Sequence, residues 1–226
     1  MAIEGYRFYG DPSAACMFIH MTGDEDEEHM EHELKFLRKL SGRRDWCITA
    51  VSVEDWNQDL APWAAEPVFG DEGFGDGAED TLKELTAVIL PQIQSAYPCP
   101  ERKFVIAGYS LAGLFALYAA YRTDVFCAAA AASPSVWFPN WTAYAAAHEM
   151  QAGSVYLSLG LKEEKTRNPV MSKVGDAIRE QHRILTEEGV QTLLEWNPGN
   201  HFIESDLRMA KGMHWVMNIL TGLNQS

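Results

Sequence analysis

Ser110 lies in a setting that suits a nucleophile. It follows the apolar run Lys103–Tyr109, which predicts a buried parallel strand, and it precedes an Ala- and Leu-rich run that predicts a helix. Gly108 and Ala112 flank the serine in a Gly-x-Ser-x-Ala spacing, the pattern of a sharp strand-to-helix turn that exposes a serine hydroxyl. The spacing alone also fits an ordinary turn, but its position between a strand and a helix predicts a reactive serine.

A serine hydroxyl needs a base beside it at neutral pH, and the chain contains seven histidines. His201 is the candidate base. It follows the last predicted strand on a Gly/Pro/Asn turn, where the chain order serine, acid, histidine would put it. His20 ends an early strand, where we expect it to line the site without acting as the base. The remaining five fall within predicted helices: His29, His32, His148, His182 and His214.

The base in turn needs a carboxylate that holds its tautomer and stabilises the imidazolium. This acid should lie between Ser110 and His201 in the sequence, just past the end of a strand. Glu163 meets both conditions in the segment that follows Gly160, and Glu164 is the second choice. A charged surface loop is the alternative interpretation of this segment.

Two backbone N–H groups are candidates for stabilising negative charge that develops on a substrate oxygen. Leu111 begins the predicted helix after the serine, so its N–H should point toward the serine hydroxyl. The second donor should come from the loop after the first predicted strand. Thr22 is the candidate there, with Met21 as the alternative.

The walls of the pocket are expected to be aromatic. The long irregular segment 54–79 carries tryptophan and phenylalanine among Gly, Pro and Asp, which favours an ordered loop that covers something. Core packing is an equally good explanation for any single one of these side chains. The expected substrate contacts are Trp63, Trp137, Tyr109 and Met21, with Phe69 or Phe74 as a further wall.

Strands and helices alternate along the chain and must position these residues. Apolar runs predict strands over residues 14–20, 46–53, 103–109, 126–132, 154–159 and 190–196. Helices are predicted between them, including one that Asp80 caps and that ends before Pro98, and others over 169–188 and 203–220. The alternation predicts an α/β fold in a single domain, residues 1–226. Its central sheet should be mostly parallel, with helices on both faces and no large cap domain.

Composition and charge narrow the classes of function. The 226 residues carry a formal net charge of −14, which argues against nucleic acid and against an anionic membrane as partners. The N-terminus has no secretion signal and no apolar run reaches membrane-spanning length, so a cytoplasmic location is expected. The four cysteines lack a metal-type pair spacing, and no histidine–carboxylate pairing forms a credible ligand set. No metal and no cofactor are therefore expected.

Taken together, these segments resemble the esterase D-like branch of the α/β-hydrolases, the Putative esterase family. The matching segments occur in the family's order and span most of the chain: residues 59–63, 106–116, 133–137, 160–163 and 199–201. Three positions depart from the family pattern. Ala112 and Met21 each replace a glycine, and Glu163 replaces the more usual aspartate.

The resemblance implies an α/β-hydrolase fold and a cofactor-free serine hydrolase that cleaves a carboxylic ester of a small molecule. Ser110 would be the nucleophile, His201 the general base and then acid, and Glu163 the orienting acid. Thr22 and Leu111 would supply the oxyanion donors. The same residues also fit a thioesterase or a peptidase. A ligand-binding protein of this fold that has lost catalysis would lack one of the three groups. The sequence does not predict the oligomeric state.

Overall fold

One sheet of seven strands runs through the part of the chain that the computed structural model describes, residues 2–23, 27–43, 45–68 and 70–222. The strands are β1 (Ile3–Gly10), β2 (Cys16–Thr22), β3 (Trp46–Val53), β4 (Lys103–Tyr109), β5 (Phe126–Ala132), β6 (Ser154–Gly160) and β7 (Gln191–Asn197). Their order in the sheet is β1-β3-β2-β4-β5-β6-β7. β1 pairs with β3 in the antiparallel sense, and every other neighbouring pair of strands is parallel.

Helices cover both faces of the sheet, so the prediction of an α/β fold is confirmed. Helices α1 (Glu27–Ser41) and α8 (Ser205–Leu220) pack their apolar side chains together on one face, and most of the other helices lie on the opposite face. No helix in the described part of the chain is long and apolar enough to cross a membrane. The helices are α1 (Glu27–Ser41), α2 (Trp56–Asp59), α3 (Ala78–Glu84), α4 (Leu90–Ala96), α5 (Ser110–Arg122), α6 (Trp141–Ala147), α7 (Val174–Glu187) and α8 (Ser205–Leu220).

The edge strand β1 was not predicted from the sequence. Its side chains are mostly half-buried or exposed, with only Ile3 buried. Glu4 and Arg7 interrupt its apolar residues, so the strand lacks the continuous apolar run that marks the central strands. Its Phe8 ring stacks on Tyr97 with the ring centroids 4.1 Å apart.

α3 and α4 are joined by a π-helical segment, Leu85–Ile89, into one continuous helical stretch. The N–H of Leu90 bonds to the carbonyl of Leu85, five residues back, just before Pro91. Because proline has no N–H to give to the helical ladder, a π segment beside it accommodates the lost bond. The predicted cap was wrong: the helix begins at Ala78, and Asp80 lies within its first turn.

The long segment 54–79 was predicted to be an ordered loop that covers something, and several of its described residues pack on the core. It contains α2 and a short bridge between Ala65 and Phe74, and Leu60 and Ala61 are fully buried. Phe69, one of the expected pocket walls, lies outside the described residues.

The strand order changes direction around β2, whose neighbours are β3 on one side and β4 on the other. In parallel α/β sheets, the connections on either side of such a point leave the sheet in opposite directions and open a crevice at the carboxyl ends of the strands. Thr22 ends β2, and Ser110 follows β4 directly. The fold therefore brings the candidate nucleophile to the usual ligand-binding edge of the sheet.

Candidate active site

Ser110 occupies a strained turn between β4 and α5. Its φ of 58° is in the left-handed region that non-glycine residues rarely adopt. A Cβ added at Gly108 would lie 2.3 Å from the carbonyl oxygen of Ala112, so the turn requires glycine at position 108. The absence of a side chain there leaves room for the methyl group of Ala112, which accounts for the departure from the family's glycine. The carbonyl of Ser110 accepts a hydrogen bond from the N–H of Ser135 at 3.0 Å.

The structure brings three of the predicted residues into contact although they are far apart in the sequence. Nε2 of His201 lies 3.0 Å from Oγ of Ser110. Nδ1 of the same imidazole lies 2.8 Å from Oε2 of Glu163. His201 follows β7 on a turn, and Glu163 follows β6, so two neighbouring parallel strands deliver both side chains to the same edge.

The Glu163 carboxylate accepts hydrogen bonds on both oxygens. Besides the contact of Oε2 with His201, Oε1 accepts from the N–H of Gly160 at 2.7 Å, from Oγ of Ser133 at 2.8 Å and from Nη1 of Arg208 at 2.9 Å. Burial raises the pKa of this carboxyl, but the hydrogen bond and charge attraction of His201, together with the hydrogen bonds from Gly160 and Ser133, outweigh burial and hold the pKa below its usual value. Glu163 is therefore ionised at neutral pH.

The second choice for the acid, Glu164, has another partner. Its carboxylate lies 3.0 Å from Nη1 of Arg179 on α7, and both side chains are partly exposed. The guanidinium of Arg179 stacks over Trp196 at 4.7 Å from the ring centroid. Of the two adjacent glutamates, the structure brings only Glu163 to the imidazole.

Three groups around the site were not predicted in the roles that they have in the structure. Arg208 is 1% exposed and touches Glu163, and Ser133 bonds the same carboxylate oxygen. Tyr109 was expected to contact substrate, and it does line the cavity at Ser110. Its hydroxyl, however, donates a 2.6 Å hydrogen bond to the backbone carbonyl of His201. The only signal in the sequence for Arg208 is its position seven residues after the candidate base.

A cavity of about 450 Å³ opens beside the nucleophile. Met21 and Thr22 line it together with Ser110 and His201, so the predicted oxyanion loop faces the same space as the serine. Leu111 is buried at the start of α5, directly after the serine. Further residues that line this cavity are His20, His29, Met30, Glu33, Trp56, Phe202, Ser205 and Asp206.

A second cavity, of about 510 Å³, is also lined by the imidazole of His201. His201 and Phe202 line both cavities, so both spaces reach the candidate base. Trp137, a predicted substrate contact, forms a wall of the second cavity. Lys162 and Lys165 also line it.

The expected role of Trp63 is not supported by its position. Among the described residues that line the two cavities at His201, Trp63 does not occur. Its indole N–H donates a 2.9 Å hydrogen bond to the carbonyl of Pro139, and its ring packs against Phe138, Trp141 and Tyr144. Phe74 likewise packs in the core, against Trp137 and Phe138. Trp63 and Phe74 therefore pack against the core, which was the alternative interpretation of these aromatic side chains.

Three further histidines lie near the site: His20 in β2, and His29 and His32 on α1. His20 lines the first cavity, as expected, and its Nδ1 lies 3.3 Å from Oε2 of Glu33. Burial lowers the pKa of His20 to about 4, so it is neutral at pH 7. His29 and His32 lie 2.9 and 3.3 Å from the carboxylate of Asp206 and are largely exposed. Within the described ranges, no cluster of three or more His, Cys, Asp or Glu side chains is arranged to hold a metal ion.

A mostly parallel sheet with a serine on its strand-to-helix turn and a histidine after its last strand defines an α/β-hydrolase. The profile of the family described as "Putative esterase" matches residues 47–201, more than half of the chain. The chain belongs to this family and is a carboxylic ester hydrolase. No curated protein is significantly similar to the sequence.

Several solved structures share the fold. The siderophore hydrolase EstA from Aspergillus nidulans has a TM-score of 0.73 at 18% identity, with 92% of this chain and 84% of that chain covered. An IroE-like serine hydrolase from Shewanella oneidensis has a TM-score of 0.75 at 17% identity, covering 93% and 74%. The enterobactin esterase FES from Shigella flexneri has a TM-score of 0.68 at 15% identity, covering 95% of this chain and 55% of that chain. At these identities the likeness is one of fold.

Proposed function

We propose that this chain hydrolyses small-molecule carboxylic esters through an acyl-enzyme on Ser110. His201 is the general base and then the general acid, and Glu163 orients it. The observation that carries the proposal is a line of two contacts, 3.0 Å from Ser110 Oγ to His201 Nε2 and 2.8 Å from His201 Nδ1 to Glu163 Oε2. A neutral imidazole held in this way donates Nδ1–H to the carboxylate and leaves Nε2 free to accept the serine proton.

In the first half of the reaction, Oγ of Ser110 bonds to the ester carbonyl carbon while its proton passes to Nε2 of His201. The carbonyl oxygen becomes an oxyanion, and the backbone N–H groups of Leu111 and Thr22 are the proposed donors to it. Collapse of this intermediate breaks the bond to the leaving oxygen. His201 gives its proton to that oxygen, and the alcohol departs.

In the second half, water replaces the alcohol. It gives one proton to Nε2 of His201 as its oxygen bonds to the acyl carbon. Collapse then breaks the bond to Oγ of Ser110, which recovers the proton from His201, and the carboxylic acid is released. All protons and electron pairs of both halves are balanced by these side chains, the ester and water, so the proposed mechanism uses no cofactor.

Two cavities of about 450 and 510 Å³, both lined by His201, suit the two parts of a small ester. We assign Met21, Tyr109 and Trp137 as candidate substrate contacts in their walls. This chain has the same fold as a siderophore hydrolase and an enterobactin esterase. Enterobactin therefore belongs in the substrate panel beside simple p-nitrophenyl acyl esters.

The test of the proposal is to replace Ser110 by alanine. We expect turnover of p-nitrophenyl butyrate to fall by several powers of ten, on the order of 10³-fold or more, and labelling by a fluorophosphonate probe to disappear. Ser95→Ala, at an exposed position on α4, is the matched control and should retain both activity and labelling. Wild-type turnover in the Ser110→Ala protein would refute the proposed nucleophile.

A further inference from the structure

Arg208 lies in the first turns of α8 and is buried at the active site. Its side chain is 1% exposed to solvent. A buried guanidinium is costly unless its charge is paired and its N–H groups are hydrogen-bonded. The side chain therefore has to be explained by what it touches.

One end of this guanidinium holds the acid. Its Nη1 donates to Oε1 of Glu163 at 2.9 Å, and the same nitrogen lies 3.0 Å from Oγ of Ser133 and 3.2 Å from the hydroxyl of Tyr109. Ser133 and Tyr109 in turn contact the acid and the base: Ser133 bonds Glu163, and Tyr109 donates to the carbonyl of His201.

The other end holds the turn that carries the base. Nη2 of Arg208 donates to the backbone carbonyls of Pro198 at 2.9 Å and of Asn200 at 2.8 Å. Asn200 directly precedes His201. One rigid, planar group thus joins the loop after β6 to the turn after β7. A lysine cannot bridge the two segments in this way, because all of its N–H groups are on one nitrogen.

We propose that Arg208 is a positioning residue for ester hydrolysis, which fixes the Glu163 carboxylate relative to the turn before His201 and shares the charge of that carboxylate. This inference rests on the proposed function, because it assigns a role to Arg208 only through the acid and the base named there. The proposal explains why a buried arginine lies in the first turn of α8.

The positive charge of Arg208 predicts an effect on the pH dependence of the reaction that a merely structural role does not. With Arg208 removed, the negative charge of Glu163 faces His201 with less compensation, which favours the imidazolium. The acid limb of kcat/KM then moves to higher pH. A merely structural loss, which lets Glu163 drift away from the imidazole, moves this limb the other way. Tyr109 loses its contact with Arg208 in both substitutions, but burial raises the pKa of its hydroxyl, so it stays neutral. The other charged and titratable groups around the pair are the same in every variant: His20, His29, Glu33, Lys162, Lys165 and Asp206.

The experiment compares Arg208→Met and Arg208→Lys with Lys211→Met. Lys211 lies one turn further along α8 and binds Glu195 and Asn197 instead of the site. For Arg208→Met we expect kcat to fall by about 10- to 100-fold with KM within about threefold, and the acid limb to move to higher pH. Arg208→Lys keeps the charge, so its acid limb should stay in place while kcat falls by about three- to 30-fold. The Lys211→Met enzyme should match wild type.

A double variant separates positioning from general destabilisation. If Arg208 positions Glu163, the losses of Arg208→Met and Glu163→Gln should be less than additive in the double variant, where only the bonds of Arg208 to the turn before His201 remain to be lost. Wild-type kcat in Arg208→Met overturns the proposal, as do additive losses with an unmoved acid limb. If Arg208→Met does not fold, Arg208→Lys decides, and a wild-type kcat there overturns the proposal. Failure of the proposed function is distinct, because it shows as activity that survives Ser110→Ala.

Discussion

Glu163 and Glu164 are neighbours in the sequence but have different surroundings in the fold. Only Glu163 contacts the imidazole of His201, whereas Glu164 forms a partly exposed ion pair with Arg179. We expect Glu163→Gln to lower kcat by on the order of 10²- to 10⁴-fold, because an uncharged amide neither stabilises the imidazolium nor fixes its tautomer. Glu164→Gln should stay within about threefold of wild type, since exposed ion pairs contribute little.

The measurement is kcat on a p-nitrophenyl acyl ester, with circular dichroism to verify the fold of both variants. Equal losses in the two variants would contradict the assignment of Glu163 as the orienting acid. A larger loss in Glu164→Gln would instead assign Glu164 as the orienting acid.

The ionisation of Glu163 also ties stability to pH. Burial raises the pKa of Glu163, but the hydrogen bond and charge attraction of His201, with the hydrogen bonds from Gly160 and Ser133, outweigh burial and hold the pKa below the usual 4.5. A carboxyl with a depressed pKa in the folded state contributes stability that is fully present above its unfolded pKa and is lost as pH falls through the folded one. The difference in free energy of unfolding between wild type and Glu163→Gln should therefore shrink below about pH 4.5. Urea titrations at several pH values measure the free energy of unfolding of both proteins. A difference between them that grows on acidification contradicts the prediction.

Some residues of the site follow from the sequence, and others depend on packing. Ser110, His201 and Glu163 can be proposed from their places after predicted strands. Arg208 cannot, because a single arginine in an amphipathic helix has the same sequence pattern whether it faces solvent or the sheet. Trp63 fails for the converse reason: a half-buried tryptophan suits a core cluster as well as a pocket.

At the scale of elements, β6 must end without a side chain. A Cβ added at Gly160 would lie 2.7 Å from the carbonyl oxygen of Gly199 and 2.9 Å from both Oε1 of Glu163 and Nη2 of Arg208. We expect Gly160→Ala to push the end of β6 away from the turn after β7 and to lower kcat by about 10-fold or more.

Gly153→Ala is the matched control for this substitution. Gly153 precedes the same strand at its other end, and a Cβ there would meet only the carbonyl oxygen of Cys127, at an ordinary 3.8 Å. Kinetics on the same ester should leave the Gly153→Ala enzyme within about twofold of wild type, because no group of the site moves. Similar kcat values for the two alanine variants would show that the close approach at Gly160 is unimportant.

The central strands were predictable because they are apolar on both faces. The predicted bounds 46–53 and 126–132 agree with β3 and β5. β1 lies at the edge and mixes charged with apolar residues, so its pairing depends on β3 and not on a local pattern. The helix predicted over 169–188 begins later, at Val174, because the residues before it form only a short 3₁₀ turn, Met171–Lys173.

For the whole molecule, the arrangement of the sheet explains why distant residues meet. The candidate site draws on segments that follow β2, β4, β5, β6 and β7, all of which are parallel neighbours with their carboxyl ends at one edge. Parallel order makes every such end face the same crevice.

The whole molecule also carries a net charge of −14 and has a sequence pI near 4.8, so its folded state holds considerable negative self-repulsion at neutral pH.

That self-repulsion predicts how stability responds to salt. At pH 7, raising NaCl from about 20 to about 300 mM should raise the Tm by about 2–5 °C, because a shorter Debye length weakens repulsion among the excess carboxylates more than it weakens the buried contacts around Glu163. At pH 5, close to the sequence pI of about 4.8, the net charge is small, and the same change in salt should shift the Tm by less than about 1 °C. Differential scanning fluorimetry in the two buffers measures both values. An equal rise at the two pH values would mean that salt acts through a general effect on apolar burial, and a fall at pH 7 would mean that specific ion pairs outweigh the net charge.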